Sequence, residues 1–94
     1  MENEHFVYIL ECNDKTLYTG YTTNIAERIE KHESGKGAKY TRGRGPFVLR
    51  YQEQFATKEA AMKREYDIKR LTKKNKLRLI KEGMALHADS NKLS

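Results

Sequence analysis

Hydrophobic residues open the chain in a block rather than a stripe. Residues 5–12, His-Phe-Val-Tyr-Ile-Leu-Glu-Cys, are β-branched and aromatic, and apolar at odd and even positions alike. A strand with one wet face alternates, so this block predicts a strand covered on both sides. Asn13-Asp14-Lys15 is turn chemistry, with Asn and Asp tolerating left-handed backbone angles. Residues 16–21 resume the β pattern, which makes the opening a hairpin with a three-residue loop. Asn24 and Glu27 have the spacing of a capping box, so a helix starts there, runs to about Glu33 and stops at Ser34-Gly35. Residues 35–46, GKGAKYTRGRGP, read as a mobile basic loop with one helical turn near residues 38–41.

Residues 47–55 are strand-like, although they alternate less cleanly. Thr57 can cap a helix from Lys58 to about Leu71, and residues 73–82, ahead of Gly83, predict another. Residues 84–94 carry no periodic pattern and are expected to form a flexible tail. The order β-β-α-turn-β-α-α predicts an α+β fold: a small three-stranded antiparallel sheet flanked by helices, in one domain over residues 5–82.

A chain of 94 residues with 37% hydrophobic side chains supplies one modest core and no second one. Its longest apolar run, residues 6–10, falls far short of the ~20 residues a membrane helix needs. The opening Met-Glu-Asn-Glu-His is acidic and lacks the basic-then-apolar order of a signal peptide. A single cysteine, Cys12, leaves no internal disulfide, so the cytoplasm is the expected compartment and monomer the default state.

The net charge of +6 is unevenly spread. Residues 1–34 hold three basic and seven acidic side chains, residues 35–57 five and one, and residues 58–82 ten and four. An acidic first third with a basic remainder is the footprint of a polyanion binder, although Lys-rich helices are also often plain solvated surface.

Candidate chemistry follows from register. With a loop of residues 13–15, Leu10 faces Tyr18 and Tyr8 faces Gly20. Tyr8 and Tyr18 then share one sheet face as diagonal neighbours roughly 7–8 Å apart. A four-residue loop would put them on opposite faces. Gly20, having no side chain, is expected to leave open space opposite Tyr8. On the first helix, Arg28 and His32 lie one turn apart and flank the Ile25/Ile29 stripe, at the rim where helix meets sheet. Glu65 falls beside the stripe of Ala61, Ile68 and Leu71. A carboxylate so placed costs several kcal/mol unless it is paired, with Lys69 or Arg28, or holds a metal. No zinc spacing, Walker loop or Ser/His/Asp order is present. One carboxylate without thiolates favours a hard ion such as Mg²⁺.

These residues resemble the GIY-YIG nuclease superfamily, in particular its small stand-alone bacterial members related to the nuclease domain of the excision-repair endonuclease. Phe6-Val7-Tyr8 stands where the first motif would be, and Tyr18-Thr19-Gly20 where the second would be. Arg28 matches the family's helix arginine and His32 the aromatic or histidine one turn later. Glu65, within residues 60–69, matches the metal-binding glutamate. The stretches YTGYTTN, GKGAKYTRGRGP and EYDIKRL look like the single-domain subfamily, and the similarity covers residues 6 to about 82. Phe6 replaces the first motif's glycine and Thr19 the second motif's central isoleucine. Tyr21 stands where some relatives carry a lysine near the scissile phosphate.

The resemblance implies a metal-dependent endonuclease. Water would attack a phosphodiester in line and leave a 5′-phosphate, with DNA favoured over RNA as the nucleic acid; the length of the chain, with no separate recognition domain expected, implies little sequence selectivity. Glu65 would hold one Mg²⁺ or Mn²⁺. Arg28 would brace a non-bridging oxygen and lower a nearby tyrosine's pKa. Tyr8 is the first candidate to orient or deprotonate the water, Tyr18 the second and His32 the third. Tyr8, Tyr18, Arg28 and Glu65 are expected around one pocket. Expected nucleic-acid contacts are Gly20, Lys39, Tyr40, Arg42 and Arg44, with Lys69 and Lys73 on the later helices. Two alternatives stay open: a binding module of the same fold that cleaves weakly or not at all, and a basic RNA-associated protein with no metal dependence.

Overall fold

In a computed structural model, residues 4–93 are described, with side chains described as far as Gly83. Three strands, β1 (His5–Glu11), β2 (Leu17–Thr22) and β3 (Val48–Phe55), form one antiparallel sheet in the order β2-β1-β3. Helix α1 (Ile25–Glu33) lies between β2 and a single 3-10 turn (Lys39–Thr41), and α2 (Lys58–Lys69) and α3 (Lys73–Leu93) follow β3. The expected α+β fold with a three-stranded antiparallel sheet is what forms.

The central place of β1 explains its unbroken apolar run. Val7 and Ile9 face one layer, where they meet Ala61 and Ile68 of α2 and Ile80 of α3. Tyr8 and Leu10 face the other, with Ile25 and Ile29 of α1, Phe47 and Leu49. Strand β3 is an edge, and its pairing with β1 slips between Ile9 and Leu10. Arg50 is the extra residue at this irregularity, so Tyr51 packs on the α2/α3 side and Leu49 on the α1 side. That slip is the reason the strand alternates poorly in sequence.

The hairpin closes as its spacing predicts, with Cys12 N donating to the Thr16 carbonyl at 2.8 Å. The left-handed residue, however, is Lys15 (φ 72°), not Asn13 or Asp14. Asp14 serves instead as acceptor for the Thr16 N–H and hydroxyl.

Asn24 caps α1 by accepting from Glu27 N at 3.0 Å. The reciprocal half of the capping box does not form, because Asn24 N–H is taken by the Thr22 hydroxyl. At the other end Gly35 (φ 79°) and Lys36 return bonds to the His32 and Lys31 carbonyls, a Schellman ending that turns the chain back over α1. Thr57 and Thr72 cap α2 and α3 by accepting from Ala60 N and Asn75 N.

Gly83 does not end the last helix, which continues to Leu93. A glycine costs a helix about 1 kcal/mol relative to alanine but does not stop it, and here it lies against the Tyr51 ring. The side chains of the expected tail, residues 84–94, lie outside the described residues. No helix among the described residues is long and apolar enough to cross a membrane.

Candidate active site

Register brings the two tyrosines together. Leu10 pairs with Tyr18 and Tyr8 with Gly20, so Tyr8 and Tyr18 share the α1 face of the sheet with ring centroids 6.3 Å apart. The space over Gly20 is not open, contrary to expectation. The Tyr8 ring leans across it, and an added Cβ would fall inside contact distance of the Tyr8 hydroxyl and 2.6 Å from its Cζ. Gly20 therefore serves first to admit the ring.

Helix α1 supplies the two groups that meet the Tyr8 hydroxyl. Arg28 Nε donates to it at 3.4 Å, and His32 Nε2 lies 2.9 Å away. Both tyrosines support the Arg28 charge, with the Tyr8 bond the largest contribution. The other imidazole nitrogen, Nδ1, is 2.7 Å from the Thr41 hydroxyl, and that hydroxyl donates to the Ala38 carbonyl at 2.9 Å.

This chain of bonds fixes the tautomer. The single Thr41 proton is committed to Ala38, so the Thr41 oxygen accepts, and His32 Nδ1 must carry a hydrogen. Burial and the nearby Arg28 charge lower the His32 pKa below its ordinary 6.5, against a smaller opposing pull from Glu33. A neutral ring protonated at Nδ1 presents a lone pair at Nε2, and the Tyr8 O–H donates to it.

Tyr8, His32 and Thr41 are each only 1% exposed. Burial is also the largest influence on the Tyr8 hydroxyl, whose pKa is raised above 10.0. The Arg28 bond pulls it down, while Tyr18 and Glu65 push it up. The expectation that Arg28 lowers a tyrosine pKa is thus met in direction and outweighed by desolvation.

Glu65 comes from the other layer. It lies between Ala61 and Ile68 on the buried stripe of α2, which packs on the Val7/Ile9 face rather than the tyrosine face. Its side chain is 13% exposed and its Oε2 lies 3.2 Å from Lys69 Nζ, the salt-bridge partner anticipated from spacing. Arg28 bonds the Tyr8 hydroxyl instead. The Glu65 charge nonetheless reaches Tyr8, where it raises the hydroxyl pKa. Glu65 thus comes to the site on a helix whose apolar stripe packs on the other face of the sheet, near enough for its charge to act on Tyr8. Among the described residues no group of three or more His, Cys, Asp or Glu side chains could hold a metal. A single carboxylate fits only an ion that completes its shell with water and substrate oxygens, which is the habit of Mg²⁺.

The basic loop is pinned rather than loose. Arg44 pairs with Asp14 and its carbonyl accepts from Asn13 N, Phe47 N donates to Glu33, and Thr41 holds His32. Gly37 lies flat on the imidazole, where an added Cβ would stand 2.9 Å from two ring carbons. Tyr40 stacks on Tyr18 at 5.9 Å, with the Arg44 guanidinium 4.7 Å over its ring. Lys39, Arg42, Lys69 and Lys73 are exposed, whereas Gly20 is buried. Thr41 and Gly37 were not anticipated, since their role exists only once the loop folds onto α1.

A small antiparallel sheet thus carries paired tyrosines, with a helix arginine and histidine beside them and a carboxylate from the next layer. The chain belongs to the GIY-YIG catalytic domain family, whose model matches residues 4–78; this is a family of endonucleases, which act on nucleic acid and generally use divalent metal ions. It is 56% identical over 80 residues to a UPF0213 protein of Oceanobacillus iheyensis, covering 85% of this chain and 93% of that one. A UPF0213 protein of Staphylococcus haemolyticus is 56% identical over 79 residues, with 84% and 96% covered. The solution NMR structure of the UPF0213 protein from Bacillus halodurans matches at 52% identity and a TM-score of 0.59, covering 96% of each chain. That of a protein from E. faecalis matches at 40% identity and 0.61, covering 90% and 93%. The relatives are small bacterial proteins, as the motif resemblance implies.

Proposed function

We propose that the protein is a metal-dependent endonuclease that hydrolyses phosphodiester bonds in DNA with little sequence selectivity. The observation that carries this reading is the bonded row Arg28–Tyr8–His32–Thr41, in a chain of net charge +6. In the proposed step, water attacks phosphorus and gives a proton to the Tyr8 oxygen as the Tyr8 proton passes to His32 Nε2. The bond from phosphorus to the 3′ oxygen breaks, that oxygen takes a proton from solvent, and a 5′-phosphate remains. Such a relay needs no free tyrosinate, so the raised Tyr8 pKa does not block it.

The Arg28–Tyr8 contact, at 3.4 Å, is the longest of the three and the one a phosphate oxygen would replace. Arg28 turning to the phosphate both braces the developing charge and uncovers the Tyr8 hydroxyl. Glu65 is the residue that would hold the divalent ion, which when bound neutralises charge developing on the phosphate. Tyr18, half-buried on the same face, walls the site on the side of Tyr40.

A second reading, a nucleic-acid-binding module that does not cleave, is favoured by one observation: the near-complete burial of Tyr8 and His32. Incubation of labelled single-stranded, duplex and flap DNA with Mg²⁺, Mn²⁺ or EDTA separates the two. Metal-dependent fragments with 5′-phosphate ends are expected. Tight binding with no fragments under any metal would establish the second reading instead.

A further inference from the structure

On the outer side of β2, next to the candidate active site, a cleft of about 290 Å³ is lined by Leu17, Tyr18, Thr19, Tyr40, Lys69 and Lys76. Four elements build it: the edge strand β2, the 3-10 turn, the end of α2 and the first turn of α3. Its polar side is cationic. Lys69 shares its charge with Glu65, but Lys76 has no ion-pair partner among the described residues. Burial, and then the charge of Lys69, disfavour the Lys76 ammonium and lower its pKa. Two ammonium groups placed to repel one another, one of them half-buried, make a position that an anion relieves.

Thr19 adds a second observation. It is 3% exposed, and its Oγ1 is the one buried side-chain oxygen or nitrogen without a hydrogen-bond partner among the described residues. Buried hydroxyls are nearly always satisfied, so an orphan in the wall of a cationic cleft marks a missing partner. The opposite wall is aromatic. Tyr18 and Tyr40 stack with an interplanar angle of 24°, and Tyr40 remains 47% exposed.

We infer that this cleft takes one unpaired nucleotide of the substrate strand. Lys69 and Lys76 hold its phosphodiester, and its sugar and base lie against the Tyr18–Tyr40 wall. The inference rests on the nucleic-acid reading above and narrows it: on one side of the cut the strand is single. A base packed on a tyrosine has left the stack of its neighbours, which costs little in a single strand and a few kcal/mol in a duplex. The cleft adjoins Tyr18, so the nucleotide it holds is close in sequence to the scissile bond.

Lys76→Gln and Tyr40→Leu test this without touching the Arg28–Tyr8–His32 row. Anisotropy of a fluorescein-labelled single-stranded oligonucleotide and of its duplex is measured in EDTA at several salt concentrations, with Lys58→Gln on the far end of α2 as control. Lys76→Gln should weaken single-strand binding several-fold and flatten the slope of log affinity on log salt by about 0.7, the loss of one phosphate contact. Tyr40→Leu should weaken it about 5- to 160-fold, the range for losing one base stack. Duplex affinity and the Lys58→Gln control should stay within about twofold of wild type, given the modest salt-screened value of one surface charge. If wild type binds single strands and both variants do so equally well, the cleft is not a nucleotide site although the nucleic-acid reading survives. Equal losses on single strand and duplex would overturn the unpaired-nucleotide claim. Failure of the wild type to bind either form would remove the nucleic-acid reading and this one with it.

Discussion

Thr41→Val isolates the bond that sets the His32 tautomer. The substitution keeps the side-chain shape and removes one hydroxyl, which in the folded chain accepts from His32 Nδ1–H and donates to the Ala38 carbonyl. Thr41 and His32 are each 1% exposed, so water cannot step in without opening the loop. Leaving a buried donor unsatisfied costs about 1–3 kcal/mol. For a domain of this size each kcal/mol moves the midpoint by roughly 4–8 °C, so Tm should fall by about 4–24 °C. The imidazole has one escape: moving its hydrogen to Nε2. That places a donor against Tyr8 and removes the lone pair that receives the Tyr8 proton.

Two readouts check the reasoning. Thermal unfolding by circular dichroism gives the stability loss. Long-range ¹H–¹⁵N spectra give the tautomer, with Nδ1 protonated in wild type and the hydrogen shifted toward Nε2 in the variant. Cleavage should drop together with the tautomer, and Thr41→Ser should restore both. A wild-type ring protonated at Nε2, or a valine variant equal to wild type in Tm and in spectrum, would refute the argument.

Gly20→Ala drives a methyl into the Tyr8 hydroxyl and Cζ, and overpacking of this kind costs about 1–3 kcal/mol; equilibrium urea unfolding should show that loss together with weakened cleavage. The pH dependence of stability has a definite sign. Below 6.5 the unfolded chain protonates His32 while the folded chain resists, so stability is complete above that value and is lost as pH falls through the lower folded one. Tyr8 acts oppositely: its folded pKa lies above 10.0, so its contribution is complete below that value and is lost as pH rises through the folded one. Denaturation midpoints across pH 4–11 should therefore form a plateau between these limits, and Tyr8→Phe should soften the alkaline edge. Nucleic-acid affinity in EDTA should fall steeply with salt, since Lys39, Arg42, Lys69 and Lys73 are exposed; a flat response would remove nucleic acid as the partner.

What the sequence made legible was local or set by parity. The three-residue loop determined which face Tyr8 and Tyr18 share, and the helical spacing of Arg28 and His32 brought both to the Tyr8 hydroxyl. The doubly apolar run of β1 foretold a strand covered on both sides. What stayed hidden depends on contacts between distant segments. Gly20 reads as a gap until the Tyr8 ring is seen crossing it. Thr41 sits in a glycine-rich loop whose composition suggests looseness, and only the fold of that loop onto α1 makes its hydroxyl the partner of His32. Glu65 is recognisably out of place on an apolar stripe. Periodicity alone does not say which face of the sheet the stripe packs on, or that Lys69 is the partner in reach. The slip at Arg50 likewise blurs the pattern of β3, because a bulge exchanges the two faces midway along the strand.

The central claim, metal-assisted cleavage through Glu65, is tested most directly by the cleavage rate of a labelled DNA flap as Mg²⁺ is titrated, for wild type and Glu65→Gln side by side. Wild type should be inactive in EDTA and rise to saturation with Mg²⁺. Glu65→Gln keeps the shape and removes the charge. Its rate should stay at least about 100-fold lower at saturating Mg²⁺, since each 1.36 kcal/mol of lost transition-state stabilisation is about tenfold. Wild-type cleavage that persists undiminished in EDTA, or a Glu65→Gln curve that overlays the wild type, would contradict the account.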